Sequence, residues 1–416
     1  SSFASQANTG PTVLRGNKFN LNYSETPVNL TGKKRIATAI NGSIPAPILR
    51  FKEGETVTLN VTNNMPYDTS IHWHGLILPS SQDGVPNISD GFKGIKPGET
   101  FRYQFPVIQS GTYWYHSHSG FQEQTGAYGA IVIDPIEPPP YESEREYVVI
   151  LSDWSDEDPN NIYRKLKKLS HYYNFRERTV NDAMKEVSES GWENFWANRG
   201  MWNDMRMSDR DISDVTGYTY SFLTNGHMPD VGWTGLFKKG EKVLLRFINA
   251  AAMTFFDVRI PGLKMTVVAA DGQYVQPVSI DEFRIGVAET YDVIVEPSDD
   301  RAYSIFSQAI DRSGYARGTL TPDPGLTIDV PSMDPAPLLS HGDMGMDMSM
   351  MDHGSMGHDM GAMDHSKMEH DMGSMDHSAM QEMDHSMPQT SGKTMGSGET
   401  GFGSAQKIVH VSTEYG

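Results

Sequence analysis

Short runs in which apolar and polar residues alternate recur from residue 12 to about residue 330. ETVTLNV (55–61) and ETFRYQF (99–105) place every second side chain on one face of an extended strand. Asn41-Gly42, Asp83-Gly84 and Pro97-Gly98 punctuate these runs at the density expected of a sandwich. Residues 12–137 therefore read as one all-β unit, closed by AIVID, Pro135 and the stiff run Pro138-Pro139-Pro140. A second unit, 138–330, starts at YVVILSDW. It continues through KVLLRFINA, TFFDVRIPG, MTVVAADG, EFRIGVAETYDVIVEP and AYSIFSQ, with turns at Asn225-Gly226, Pro261-Gly262 and Asp271-Gly272.

The period changes within the second unit. Over 156–211, Ile162, Leu166, Leu169 and Tyr173, then Val180, Met184 and Val187, recur at helical spacing. Gly191 and an aromatic group (Trp192, Phe195, Trp196, Trp202) follow, which predicts two or three helices inserted between strands. Met201, Met205 and Met207 could form a thioether site, although packing is the ordinary use of such a stripe. Residues 1–11 read as a flexible start.

After Pro331 the pattern ends. From Met344 to Met387 the chain alternates Met, Asp, His, Gly and Ser without bulky aliphatic or aromatic residues, so 331–416 is expected to be disordered. Soft thioethers select Cu(I) and imidazole also accepts Cu(II). A linker has no need of oxidisable methionine. The expected copper donors are Met344, Met346, Met348, Met350, Met351, His353, Met356, His358, Met360, Met363, His365, Met368, His370, Met372, Met375, His377, Met380, Met383, His385 and Met387.

Bulk properties narrow the classes. A length of 416 residues allows two or three domains, and no apolar run is long enough for a membrane-spanning helix. SSFASQANTG lacks the charged-then-apolar pattern of an export signal but is compatible with a mature end left by cleavage. The formal charge of −19 argues against nucleic acid as partner and is compatible with cations. With no cysteine, these residues hold no disulfide, thiolate zinc site or Cys-ligated copper.

The chemistry lies in His72-Trp73-His74-Gly75 and His116-Ser117-His118. Both pairs sit in segments that read as strands, where i and i+2 share a face about 7 Å apart. Two such strands could close four imidazoles around a small metal cluster. Imidazole suits copper, zinc, iron and nickel, so spacing leaves the metal open. His227, after a turn glycine, reads as a surface residue, and the second unit, without an HxH, as a metal-free spacer.

The stretches TSIHWHGLILPSSQDGVP, GTYWYHSHSGFQEQTGAYGAIVID, LSDWSDEDP, GYTYSFLTNG, RFINAAAMTFFDVRIPGLKMTVVAADGQYV and DEFRIGVAETYDVIVEP resemble the periplasmic multicopper oxidases of bacterial copper resistance, the CopA/PcoA type. The resemblance covers about 50–330, and the helical insertion and Met/His-rich tail point to that branch rather than to laccases in general. It implies two Greek-key cupredoxin-like sandwiches in tandem. It also implies His72 as a ligand of a mononuclear type 2 copper, with His74, His116 and His118 as ligands of a binuclear type 3 pair. Asp83 in SQDGVP would orient an imidazole or relay protons, although an Asp-Gly turn explains it equally.

The implied activity is oxidation of Cu(I) to Cu(II), and in a wider reading of phenols, with reduction of O₂ to water. It would use up to four coppers in the complete enzyme, with further copper in the tail. Copper ions and O₂ are the implied partners, a periplasmic copper chaperone a further one, and the periplasm the implied location. The family's HxxHxH and HCHxxxHxxxxM motifs, which supply the rest of the cluster and the Cys-ligated type 1 copper, do not occur in these residues, and His410 is solitary. The expectation is therefore an N-terminal portion lacking a third domain and inactive by itself. The alternative is a copper-sequestering protein without turnover, or a scaffold whose half-site is completed at a subunit interface.

Overall fold

The computed structural model describes residues 10–168, 172, 180–196 and 217–337. The tail donors, His410, Leu169, Tyr173, Met201, Trp202, Met205 and Met207 lie outside them.

Nine strands build the first sandwich: β1 Val13–Arg15, β2 Lys18–Val28, β3 Arg35–Ile40, β4 Ile48–Lys52, β5 Thr56–Asn63, β6 His72–His74, β7 Thr100–Pro106, β8 Gly111–His116 and β9 Tyr128–Asp134. One sheet runs β1-β4-β9-β8-β6 and the other β3-β2-β5-β7. Alternation decides which side chains meet between them. Leu21, Tyr23, Phe51, Leu59, Trp73, Tyr115 and Ile131 are fully buried in that core.

Eleven strands build the second: β10 Arg145–Trp154, β11 Ser221–Thr224, β12 Trp233–Leu236, β13 Val243–Asn249, β14 Phe256–Arg259, β15 Met265–Ala270, β16 Gln273–Ile280, β17 Glu282–Ile285, β18 Thr290–Val295, β19 Tyr303–Ala309 and β20 Tyr315–Thr321. Its sheets run β11-β10-β13-β18-β15-β16 and β12-β20-β19-β14-β17 around Val149, Leu245, Phe256, Phe283, Val293 and Ile305.

The sandwiches belong to one compact unit because β8 and β9 are buried on both faces. Tyr113 and Tyr115 enter the first core, whereas Trp114, Tyr128, Ala130 and Val132 pack against Ile150, Ile248 and Ala250 of the second sandwich. An ion network closes the seam. Arg246 donates to Asp292 at 3.0 Å, to Glu146 at 2.8 Å and to the Thr112 hydroxyl at 2.9 Å. Thr112 in turn donates to Asp292 at 2.7 Å.

The insertion contains helices α1 Pro159–Lys168 and α2 Val180–Ser190. Ile162 of α1 is buried, but Met184 of the expected apolar stripe on α2 is 67% exposed, so helical period there does not mark a packed face. Tyr163 meets Phe121 of the first sandwich with ring centroids 5.8 Å apart, which brings α1 beside the loop after His118. No helix among the described residues is long and apolar enough to cross a membrane.

Candidate metal centre

Strands β6 and β8 pair antiparallel, with His72 opposite His116, Trp73 opposite Tyr115 and His74 opposite Trp114. Opposed residues share a face, so this register puts His72, His74, Trp114 and His116 on one side and sends Trp73 and Tyr115 into the core. Ligand atoms of His72, His74 and His116 all lie within 4.8 Å of one another. They are the one group of three or more potential His, Cys, Asp or Glu ligands so placed among the described residues.

His118 departs from the strand reading. Strand β8 ends at His116, and a tight turn through Ser119–Gly126 begins where a strand was expected. The exposed His118 is fixed through its backbone, whose N–H donates to Ser70 Oγ at 3.0 Å. Its ring still lies 5.9 Å from that of His72 and 6.0 Å from that of His116, at the margin of the trio. Ser117 is buried and donates to Gln122 Oε1 at 2.8 Å.

Hydrogen bonds assign the ring nitrogens. His72 Nδ1 lies 3.1 Å from the Asp83 carbonyl and 3.2 Å from its carboxylate, so Nδ1 carries the proton and Nε2 the lone pair. Asp83 is thus both turn residue and imidazole partner. His116 repeats the arrangement, with Nδ1 3.0 Å from the Ser117 carbonyl and 3.0 Å from Glu123 Oε2. Its unprotonated Nε2 faces His74 Nδ1 at 3.4 Å.

Gly84 makes the Asp83 contact possible. Its φ is +80°, and a Cβ there would lie 1.7 Å from the Ile71 carbonyl oxygen. Gln122, buried in the following turn, accepts from Thr69 at 2.6 Å and donates to the Asp68 carbonyl at 2.8 Å, tying the His116–His118 loop to the chain entering β6. Trp114 backs the trio from the domain seam, stacked on His116 at 4.2 Å.

Electrostatics favour a cation. Burial, with repulsion from His116, His72 and His118, pushes His74 down to about 4. Burial also lowers His72, against the opposing pull of Asp83. Both rings are neutral donors near pH 7, as metal ligation requires. Among the described residues no Lys or Arg forms an ion pair with Asp83 or Glu123, so two carboxylates back the trio without a resident counter-charge. A three-imidazole set with two carboxylate partners fits copper, as it would fit zinc.

Beside His74 a cleft of about 280 Å³ opens between the sandwiches, lined by Gly75, Tyr113 and Trp114 on one side and by Asp271 and 287–290 on the other. His227, expected at the surface, is half-buried in a bridge with Thr224. Glu123, Gln122 and Trp114 are the residues that sequence reasoning missed. Trp114 was within reach of it, two residues before His116 on the same strand face, whereas nothing in the spacing marks Glu123.

Multicopper oxidase family models match residues 22–138 and 145–323. Copper resistance protein A of Pseudomonas syringae pv. tomato is 56% identical over 345 residues, covering 83% of this chain and 56% of that protein. Copper resistance protein A of Escherichia coli is 59% identical over 333 residues, covering 80% and 54%. The chain thus spans about half the length of these relatives. Among solved structures, Fet3p, a multicopper oxidase that functions in iron import, gives a TM-score of 0.60 at 23% identity, covering 77% of this chain and 55% of that one, a likeness of fold. The blue copper oxidase of Nitrosomonas europaea gives 0.54 at 26% identity, covering 74% and 85%.

Proposed function

The chain belongs to the multicopper oxidase family, of the copper resistance protein A type, and on that premise we propose that it supplies the four-histidine half of an oxygen-reducing copper cluster in a periplasmic cuprous oxidase. The observation that carries this reading is the β6–β8 register, which gathers the His72, His74 and His116 donor atoms within 4.8 Å. In this reading His72 serves a type 2 copper, and His74, His116 and His118 serve a type 3 pair. Copper held by these imidazoles would supply one-electron redox chemistry between Cu(I) and O₂.

The chain's own residues prepare that chemistry. Asp83 holds the His72 proton on Nδ1 and leaves Nε2 for the metal. Trp73 and Tyr115, locked in the core, fix the pitch of the two strands. Trp114 stacks on the His116 ring and helps shield it from bulk water, at 6% exposure. Asp83, 32% exposed, stands between His72 and solvent, where a carboxylate can accept and return a proton.

A second reading, copper sequestration without turnover, is favoured by the absence of cysteine and by the fourteen methionines and six histidines between 344 and 387. Copper analysis of the folded part separates the two, and oxygen uptake with Cu(I) as donor tests for turnover by this chain. The expected result is loss of the copper bound by the folded part, with the tail's copper unaffected, when His116 and His118 are both replaced, and no O₂ uptake by this chain. Retention of the folded part's copper in that variant rejects the folded site. Turnover by the chain alone rejects the division of labour with a further domain.

A further inference from the structure

Two carboxylates face the histidine trio, and only Asp83 lies in a motif that spacing could pick out. The other, Glu123, comes from the turn after the second histidine pair. That turn is wound by Gln122 N–H to Ser119 O, Thr125 N–H to Phe121 O, Gly126 N–H to Glu123 O and Ala127 N–H to Gln122 O. Winding brings residue 123 back over His116, seven positions earlier, and sets Oε2 3.0 Å from Nδ1. Gln122 anchors the same turn on the Asp68 carbonyl and Thr69, so the carboxylate is held at both ends of its reach.

We propose that Glu123 is a positioning residue for His116: its carboxylate accepts the Nδ1–H, fixes the tautomer with Nε2 unprotonated, and orients Nε2 toward His74 for a shared metal. The Ser117 carbonyl also lies 3.0 Å from Nδ1, but a charged acceptor makes the stronger bond and raises the basicity of the opposite nitrogen. The surroundings leave Glu123 to this use. Its ion pairing among the described residues is with His116, and its side chain is 26% exposed. Seated beside His116, a metal ion would meet this uncompensated charge. The proposal rests on the copper reading for its ligand, but its tautomer half holds for the metal-free chain.

The test uses the full chain labelled with ¹⁵N-histidine, with His116 assigned by the H116Q variant. Ring ¹⁵N shifts report the tautomer without metal, and paramagnetic broadening of the His116 signals during Cu(II) addition reports binding at that ring, separately from the tail. The wild type and E123Q, whose amide oxygen can still accept, should show His116 protonated on Nδ1. E123L should show a tautomer mixture and need roughly 10–100-fold more Cu(II) for half-broadening. Should E123L not fold, E123S, too short to reach Nδ1, serves in its place. An unchanged tautomer and unchanged copper titration would overturn the proposal, since the Ser117 carbonyl would then suffice. Weaker copper binding with an unchanged tautomer would overturn it too, as a structural effect not acting through His116. If copper leaves wild-type His116 unbroadened, the copper reading fails while the metal-free tautomers still decide the role of Glu123.

Discussion

His74 Nδ1 and His116 Nε2 face each other at 3.4 Å across two paired strands. Both His116 Nδ1 acceptors commit its proton away from this contact, so Nε2 presents a lone pair toward His74, available to a cation or to a His74 N–H.

That geometry has an acid limit. His74 is pushed down to about 4 by burial and by its histidine neighbours, from an ordinary value near 6.5. The unfolded chain therefore binds more protons between these values, and the contribution is present above pH 6.5 and lost as pH falls through about 4. Metal-free protein should lose roughly 2–3 kcal/mol of stability across this window. H74F should flatten the loss, as measured by urea unfolding at pH 4.5 and 7. Equal slopes in both proteins would show that His74 is not desolvated.

Glu282 acts in the opposite direction. Burial, then repulsion from Asp257 and Asp334, raises its carboxyl to about 7, with Arg259 and Arg312 opposing. Its protonated form favours the fold, so stability is fully present below pH 4.5 and lost as pH rises through about 7. E282Q should be more stable than wild type at pH 8, by about 1–3 kcal/mol, and no more stable at pH 4. Thermal melts at the two pH values check the sign, and a variant less stable at pH 8 would contradict it.

Gly84 should tolerate no side chain. An alanine Cβ would meet the Ile71 carbonyl, and the +80° φ disfavours any L residue. Moving the loop would draw Asp83 off His72. G84A is expected to lose about 2–4 kcal/mol of stability and to weaken metal binding at His72. Calorimetric titration with Cu(II) beside a thermal melt checks both, and a neutral G84A would mean that the loop relaxes freely.

Arg246 is the buried cation of the domain seam, 7% exposed against Asp292 at 3%. R246M leaves Asp292 buried without its cation and should cost about 3–5 kcal/mol. R246M/D292L, which removes both charges, should cost less than R246M alone. Denaturant midpoints decide this. A double variant weaker than the single would show that the charges contribute more as a pair than their desolvation costs.

The sandwiches were legible because ETVTLNV and ETFRYQF alternate at the strand period, and the HxH spacing placed His72 and His74 on one face correctly. The double burial of β8 was not legible, since alternation in GTYWYH is between two interiors rather than between interior and water. That His118 lies beyond the end of its strand has a related reason. Nothing in HSHS signals that the ladder stops at His116, because the turn is set by bonds to residues distant in sequence, from His118 N–H to Ser70 Oγ and from Gln122 Nε2 to the Asp68 carbonyl. Glu123 depends on the same turn and was invisible to spacing. Asp83 was open between turn and imidazole partner, and in the structure it is both.

The most direct test is anomalous diffraction at the copper edge from crystals of the chain grown with copper. A peak is expected within bonding distance of the imidazole nitrogens of His72, His74 and His116, and its loss in the variant with His116 and His118 replaced. Copper found only elsewhere, with these three rings unligated, would contradict it.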